Sequence, residues 1–121
     1  MHEHNSDFTH DLKAGVEGEK IIAGMLKGDM VEVKSEFDIW KITGNTFVEV
    51  YCRGKRSGIA ATHAKWWTVN LILKGELIVA LTVETKRLKE MIKKNKYKRT
   101  VGGDNNLSKG FLVPIRDLIQ E

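Results

Sequence analysis

Residues 30–51 constrain the fold of this chain more than any other stretch, because they have the pattern of two strands joined by a turn. Side chains of an extended chain alternate between two faces. On the first strand one face carries Val31, Val33, Ser35 and Phe37. The other carries Glu32, Lys34, Glu36 and Asp38. The sequence therefore predicts a charged ridge along one strand.

The second strand, residues 46–52, is apolar except for one carboxylate. Strict alternation puts Phe47, Glu49 and Tyr51 on one face, and Val48, Val50 and Cys52 on the other. Gly44 and Asn45 tolerate the left-handed backbone of a tight turn, which would return Glu49 to the side of the first strand. Converging carboxylates and a lysine are the groups needed to hold a divalent cation and activate a water molecule.

A helix is predicted over residues 11–27, where Leu12, Val16, Ile22 and Leu26 form an apolar stripe. Glu19 falls on that stripe, and a carboxylate on a packing face is costly unless it is paired or coordinating. Glu19 is therefore either a functional acid or a residue at the wet end of the stripe.

The remaining elements predict one α/β domain over residues 11–121, preceded by a flexible tail over residues 1–10. A short helix is expected over residues 60–67, a β-hairpin over residues 69–73 and 76–83, and an amphipathic helix over residues 84–94. The chain ends in a short strand and a helical turn within residues 110–120. Alternating helical and strand periods favour a central mixed sheet with the first helix packed on it.

Charge and cysteine content limit the compartment and the partners. The single cysteine, Cys52, excludes an internal disulfide and suits a cytoplasmic, intracellular protein. No apolar run is long enough for a membrane span. The chain has a net charge of +4. Its basic residues are clustered in the Gly-containing segment 52–59 and in residues 86–99. Such clusters indicate either solvated surface or contact with nucleic-acid phosphates.

The order of helix, charged strand, turn, acidic strand, basic Gly loop and further strands resembles the PD-(D/E)xK nuclease superfamily. The segments EVKSEFDIWKITGNTFVEVYCRGKRSGI, THAKWW and KGFLVPI look like those of small phage and archaeal nucleases related to Holliday-junction resolvases. The resemblance implies a restriction-endonuclease-like core, a Mg²⁺- or Mn²⁺-dependent cut in DNA, branched DNA as a substrate, a homodimer and a phage or viral origin.

The resemblance also implies roles for individual residues. Glu19 takes the place of the helix acid, Glu49 that of the second strand acid, and Glu36 or Asp38 that of the first strand acid. Glu36, Asp38 and Glu49 would hold the metal. Contacts with DNA would come from a set of polar and basic residues after the second strand: Arg53, Lys55, Arg56, Ser57, Thr62 and Lys65.

The chain departs from the superfamily motif at Tyr51, which stands where the motif lysine belongs. The literal ExK triplet is Glu32-Val33-Lys34. Either this triplet is the motif itself, or the catalytic lysine has moved to Lys34 on the neighbouring strand, which is the preferred interpretation. The alternative to an enzyme is a non-catalytic nucleic-acid-binding module, whose DNA binding would be indifferent to divalent metal.

Overall fold

The computed structural model describes residues 16, 19–20, 22–25, 27–28, 30–102 and 107–120. The chain divides into two units, Met1–Met30 and Val31–Glu121. In the first unit Val16, Glu19, Lys20 and residues 22–25 are helical, as predicted, and the Glu19 side chain is exposed. The predicted tail, residues 1–10, lies outside the described residues. The packing of the helix on a sheet stays a prediction.

The second unit is built mostly of strands, with few helices. Its elements in chain order are β1 (Val31–Phe37), α1 (Trp40–Thr43), β2 (Asn45–Cys52), β3 (Lys55–Arg56), a 3₁₀ turn (Gly58–Ala60), β4 (Trp66–Leu73), β5 (Glu76–Glu84), α2 (Thr85–Lys94), β6 (Lys98–Gly102), β7 (Ser108–Pro114) and a second 3₁₀ turn (Ile115–Leu118). None of the described helices has the length and apolar character that a membrane crossing requires.

The strands form two sheets. In the mixed sheet, of order β1-β4-β5, β1 runs parallel to β4 and β4 antiparallel to β5. In the antiparallel sheet the order is β3-β2-β7-β6. The predicted hairpin is confirmed as β4 and β5, and the predicted amphipathic helix is confirmed as α2.

The core of the second unit contains side chains from both sheets and from α2. Trp67 and Val69 of β4 are each 1% exposed, while Val48, Val113 and Leu88 are fully buried. These residues belong to one cluster. Burial of a side chain as large as tryptophan contributes several kcal/mol in a typical core, about 3–5 by the cost of its truncation to alanine.

The strands divide where one central sheet was expected, because β1 and β2 do not pair. Between them the chain forms α1, and Trp40 Nε1 donates a 2.7 Å hydrogen bond to the carbonyl oxygen of Ile72 in β4. The backbone N–H of Phe47 in β2 is taken by the Glu36 carboxylate instead of a strand carbonyl. A side chain therefore joins the two strands where a ladder was expected.

The predicted helix over residues 60–67 is wrong. Only Gly58–Ala60 form a 3₁₀ turn, and β4 begins at Trp66. Trp67 lies opposite Glu32 of β1 and Val83 of β5. Strand pairing on both sides and burial of the indole outweigh the weak local preference of this segment.

Tyr97 follows α2 and its hydroxyl donates a 2.9 Å hydrogen bond to Asp117 Oδ2. Burial, this hydrogen bond and the charge of Asp117 raise the pKa of Tyr97 to about 12. Because the folded pKa is raised, the hydroxyl stabilises the fold below its ordinary pKa near 10, and this contribution is lost as the pH rises through about 12. Phenolate absorbance of wild type minus Tyr97→Phe should therefore titrate well above 10. A difference transition centred near 10 in folded protein would contradict this environment.

Candidate functional site

The charged side of β1 faces the margin of the core. Glu32, Lys34 and Glu36 are half-buried, whereas Val33 and Phe37 are 53% and 61% exposed. The register explains this orientation, because the three charged residues lie opposite Trp67, Val69 and Leu71, the buried positions of β4. The charged side chains that form the predicted ridge are therefore partly covered by the rest of the protein.

Glu36 is a link between the two sheets. Its Oε2 accepts 2.7 Å hydrogen bonds from Thr46 Oγ1 and from the backbone N–H of Phe47. Thr46 is 1% exposed, so this carboxylate reaches β2 at a nearly buried position. Hydrogen bonds to an ionised acceptor are about twice as strong as neutral ones, which makes Glu36 a structural residue whatever else it does.

Lys34 is paired with Glu32 on its own strand. Their Nζ and Oε2 atoms are 3.5 Å apart, and Lys34 Nζ lies 5.9 Å from the ring centroid of Trp67. The other oxygen of Glu32 accepts a 3.2 Å hydrogen bond from Thr62 Oγ1. Strand alternation predicts Glu32 and Lys34 on one face of β1, and the structure confirms that they lie together.

Glu49 is half-buried on β2, and its carboxylate has no hydrogen bond or ion pair with any described residue. Its backbone is enclosed by two glycines. Gly110 of β7 lies opposite Glu49 in the register, and a Cβ on Gly110 would stand 2.9 Å from the Glu49 Cα. A Cβ on Gly58 would overlap the Glu49 carbonyl oxygen. The sequence places glycine at the two positions where the backbone around this acid is most crowded.

A β-bulge separates Glu49 from Tyr51. Glu49 pairs with Gly110 and Tyr51 with Lys109, so Val50 is the extra residue. Because Gly110 and Lys109 are neighbours on β7, Glu49 and Tyr51 point to opposite faces of the antiparallel sheet. The prediction that they share a face is wrong. The Tyr51 side chain therefore does not lie beside Glu49, where the superfamily motif would have a lysine.

The basic turn that follows β2 presents exposed cations. Arg53, Lys55 and Arg56 are exposed, and Arg53 and Gly54 have the positive φ values of a tight turn, 54° and 79°. Arg56 Nη2 donates a 2.7 Å hydrogen bond to the Ala60 carbonyl, which folds its guanidinium back on its own turn. Ser57 Oγ is buried without a hydrogen-bond partner. Arg53 and Lys55 are the two cations of this turn that the described contacts leave available.

Two predicted site residues lie elsewhere. Asp38 stands just past the end of β1 with a φ of 50°, and its Oδ1 accepts a 2.7 Å hydrogen bond from the backbone N–H of Lys74. Lys65 Nζ lies 5.5 Å from the ring centroid of Trp66. Asp38 therefore fixes the β4–β5 turn, as Glu36 joins β1 to β2, and the choice between these two residues as the first strand acid stays open.

Within the part of the chain that the structure describes, no three His, Cys, Asp or Glu side chains are grouped as metal ligands. Glu36 meets β2 on the side of Thr46, whereas Glu49 lies on the other face with Phe47. The described residues nevertheless offer the oxygen ligands that Mg²⁺ and Mn²⁺ prefer. One is the unpaired Glu49 carboxylate, and another is Glu36 Oε1, which accepts no hydrogen bond from a described residue.

Comparison with known proteins adds no assignment: no protein-family model, curated protein or solved structure matches this chain.

Proposed function

We propose that this protein is a metal-dependent DNA endonuclease that hydrolyses phosphodiester bonds. The observation that carries the proposal is Glu49, a half-buried carboxylate without a partner among the described residues and with its backbone fixed by Gly58 and Gly110. A partly desolvated acid without a partner costs free energy. Retention of such a group on an apolar strand is typical of a site that binds something outside the chain.

In this proposal Glu49 supplies the carboxylate that would hold Mg²⁺ or Mn²⁺, while Glu36 joins β1 to β2 through Thr46 and the backbone of Phe47. When bound, the metal supplies Lewis-acid stabilisation of the phosphate and lowers the pKa of a water nucleophile. Lys34 contributes a positive charge whose position is set by Glu32 and Trp67. A restriction-endonuclease-like core is part of the same proposal, supported by the chain order of charged strand, acidic strand and basic turn.

The cations that follow Glu49 hold the DNA. Carboxylates repel the phosphates of a substrate, so a site of this kind needs cations at its edge. Arg53 and Lys55 are exposed in the turn that follows β2, and Ser57 and Thr62 lie in the segment that packs against the Glu49 backbone. Arg56 adds positive charge for the DNA phosphates, although its guanidinium is folded back on its own turn. Lys65, just before β4, adds a further positive charge.

The substrate and the assembly extend this proposal. Branched DNA is the proposed substrate, and a homodimer would present two symmetric sites for two strands. The mass of the protein in solution, measured by light scattering, tests the dimer. The exposed apolar side chains of the β5 edge strand, Leu77 and Ile78, are a described surface suited to such a contact. A cytoplasmic location is part of the same proposal, and the free Cys52 suits it.

A second candidate is a non-catalytic nucleic-acid-binding module. Three observations favour it: Glu36 is already engaged with Thr46 and Phe47, the described acids form no three-ligand group, and the strands divide between two sheets. In this case the basic turn binds phosphate and Glu49 is a surface acid.

A cleavage assay with and without Mg²⁺ separates the two candidates. End-labelled junction, flap, single-stranded and duplex DNA are incubated with the protein in Mg²⁺, in Mn²⁺ and in EDTA. The nuclease gives products only with divalent metal, and more from junction or flap than from duplex. Metal-indifferent binding with no product on any substrate would leave the binding module as the function.

A further inference from the structure

A groove of about 720 Å³ lies on the antiparallel sheet, on the face opposite Glu49. Its principal side chains are Tyr51 of β2, Lys109 and Phe111 of β7, and Arg99 and Val101 of β6. The volume falls within the ~300–1,000 Å³ usual for ligand sites. None of the roles described above uses this groove.

The strand register assembles the groove. Tyr51 pairs with Lys109, Lys109 with Val101, and Phe111 with Arg99, so the five side chains share one face. The bulge at Val50 is decisive, because without it Tyr51 would project to the Glu49 face. A bulge that turns one aromatic residue onto a surface with another aromatic and two cations is a specific feature of this sheet.

Charge and aromatic character indicate what the groove binds. Arg99 and Lys109 are exposed, Tyr51 is 44% exposed, and no aspartate or glutamate is among the described residues that line the groove. The Arg99 guanidinium carbon lies 5.6 Å from the ring centroid of Phe111. Aromatic faces for bases, with cations for the backbone, are the combination that binds single-stranded nucleic acid.

We propose that this groove binds a single-stranded segment of DNA, with a base stacked on Tyr51 and phosphates held by Arg99 and Lys109. A duplex cannot use such a site fully, because its bases are stacked on each other and only its phosphates are accessible. The inference rests on the proposed function for its choice of DNA. It makes that function more specific, since the preferred substrate then carries a single-stranded branch beside the cut duplex.

The test measures binding of the full chain to a fluorescent oligothymidylate by anisotropy, in EDTA so that no cleavage intervenes. The variants are Tyr51→Ala and the double variant Arg99→Gln/Lys109→Gln. The matched control is Lys93→Gln/Lys94→Gln, which removes two exposed charges from α2. All the substituted side chains are exposed, and near-ultraviolet circular dichroism verifies that each variant is folded.

Tyr51→Ala is expected to weaken single-strand binding roughly 5- to 150-fold, the loss of one stacked base. The Arg99/Lys109 variant should lower the slope of log K against log salt by about 1.4, at about 0.7 for each phosphate on a single strand. Binding of a blunt duplex should change less than twofold in Tyr51→Ala. The control variant should retain single-strand affinity, and a ribonucleotide strand should bind no tighter than its deoxy counterpart.

Tyr51→Ala with wild-type affinity, an equal loss in the control variant, or an equal loss for duplex would overturn the inference. So would a marked preference for RNA. The outcome is separable from that of the proposed nuclease. If the wild type cuts DNA with divalent metal but the groove variants bind single strands as the wild type does, the groove proposal alone is refuted. If the groove variants lose single-strand binding but the wild type never cuts DNA, the nuclease proposal alone is refuted.

Discussion

Glu49→Gln is expected to abolish metal-dependent cleavage while DNA binding in EDTA stays the same or becomes tighter. Glutamine keeps the shape of the side chain, so the half-buried position and the backbone between Gly58 and Gly110 are preserved. It removes the charge that holds the cation. Mutation of a residue that hydrogen-bonds to a metal ligand lowers metal affinity or activity about 10–100-fold. Loss of a ligand itself should therefore lower the cleavage rate by more than about a hundredfold. Removal of a carboxylate also removes its repulsion of phosphate.

Glu76→Gln is the matched control for this change. Glu76 is exposed at the start of β5, and the substitution alters the net charge by the same amount. Initial rates of junction or flap cleavage are measured in Mg²⁺ and Mn²⁺, together with the urea midpoint of each variant. Glu49→Gln that cuts at the wild-type rate, or that loses no more activity than Glu76→Gln, would refute the assignment of Glu49.

The elements that could be predicted from the sequence are those whose pattern is local. The hairpin of β4 and β5 has a Lys74-Gly75 turn in which both residues have positive φ, and glycine is the residue that most easily adopts it. α2 has a clear helical period. Glu49 is unusual already in the sequence because a single acid interrupts an apolar strand, and its carboxylate has no partner among the described residues.

The features that could not be predicted depend on pairing between distant segments. A bulge adds one residue to a strand without any change in composition, so alternation along residues 46–52 gave Tyr51 the wrong face. The parallel pairing of β1 with β4 is likewise invisible in either strand alone. This pairing turns the charged side of β1 inward. Glu36 can therefore reach β2 and join the two sheets. The groove with Tyr51 and Phe111 arises only from this register.

Gly58→Ala is expected to destabilise the fold by about 2–5 kcal/mol, a large part of the ~5–15 kcal/mol that stabilises a typical domain. Gly58 has a φ of 53°, where an alanine is strained by roughly 1–2 kcal/mol. A methyl group there would also overlap the carbonyl oxygen of Glu49 and stand 2.9 Å from its Cβ. Since backbone cannot yield as a flexible side chain does, either the 3₁₀ turn or β2 must move, and the Glu49 carboxylate moves with it.

Comparison with Gly54→Ala separates the steric part of the Gly58→Ala destabilisation from the conformational part. Gly54 has a φ of 79°, yet a Cβ there meets nothing within 4 Å, so its substitution should cost only the conformational strain of about 1–2 kcal/mol. Urea unfolding followed by tryptophan fluorescence gives both free energies of unfolding. Gly58→Ala should lose more stability than Gly54→Ala, and cleavage should fall in Gly58→Ala even at temperatures where it is fully folded. Equal losses in the two variants would show that the turn does not press on the Glu49 backbone, and that this acid is not held in place as the mechanism requires.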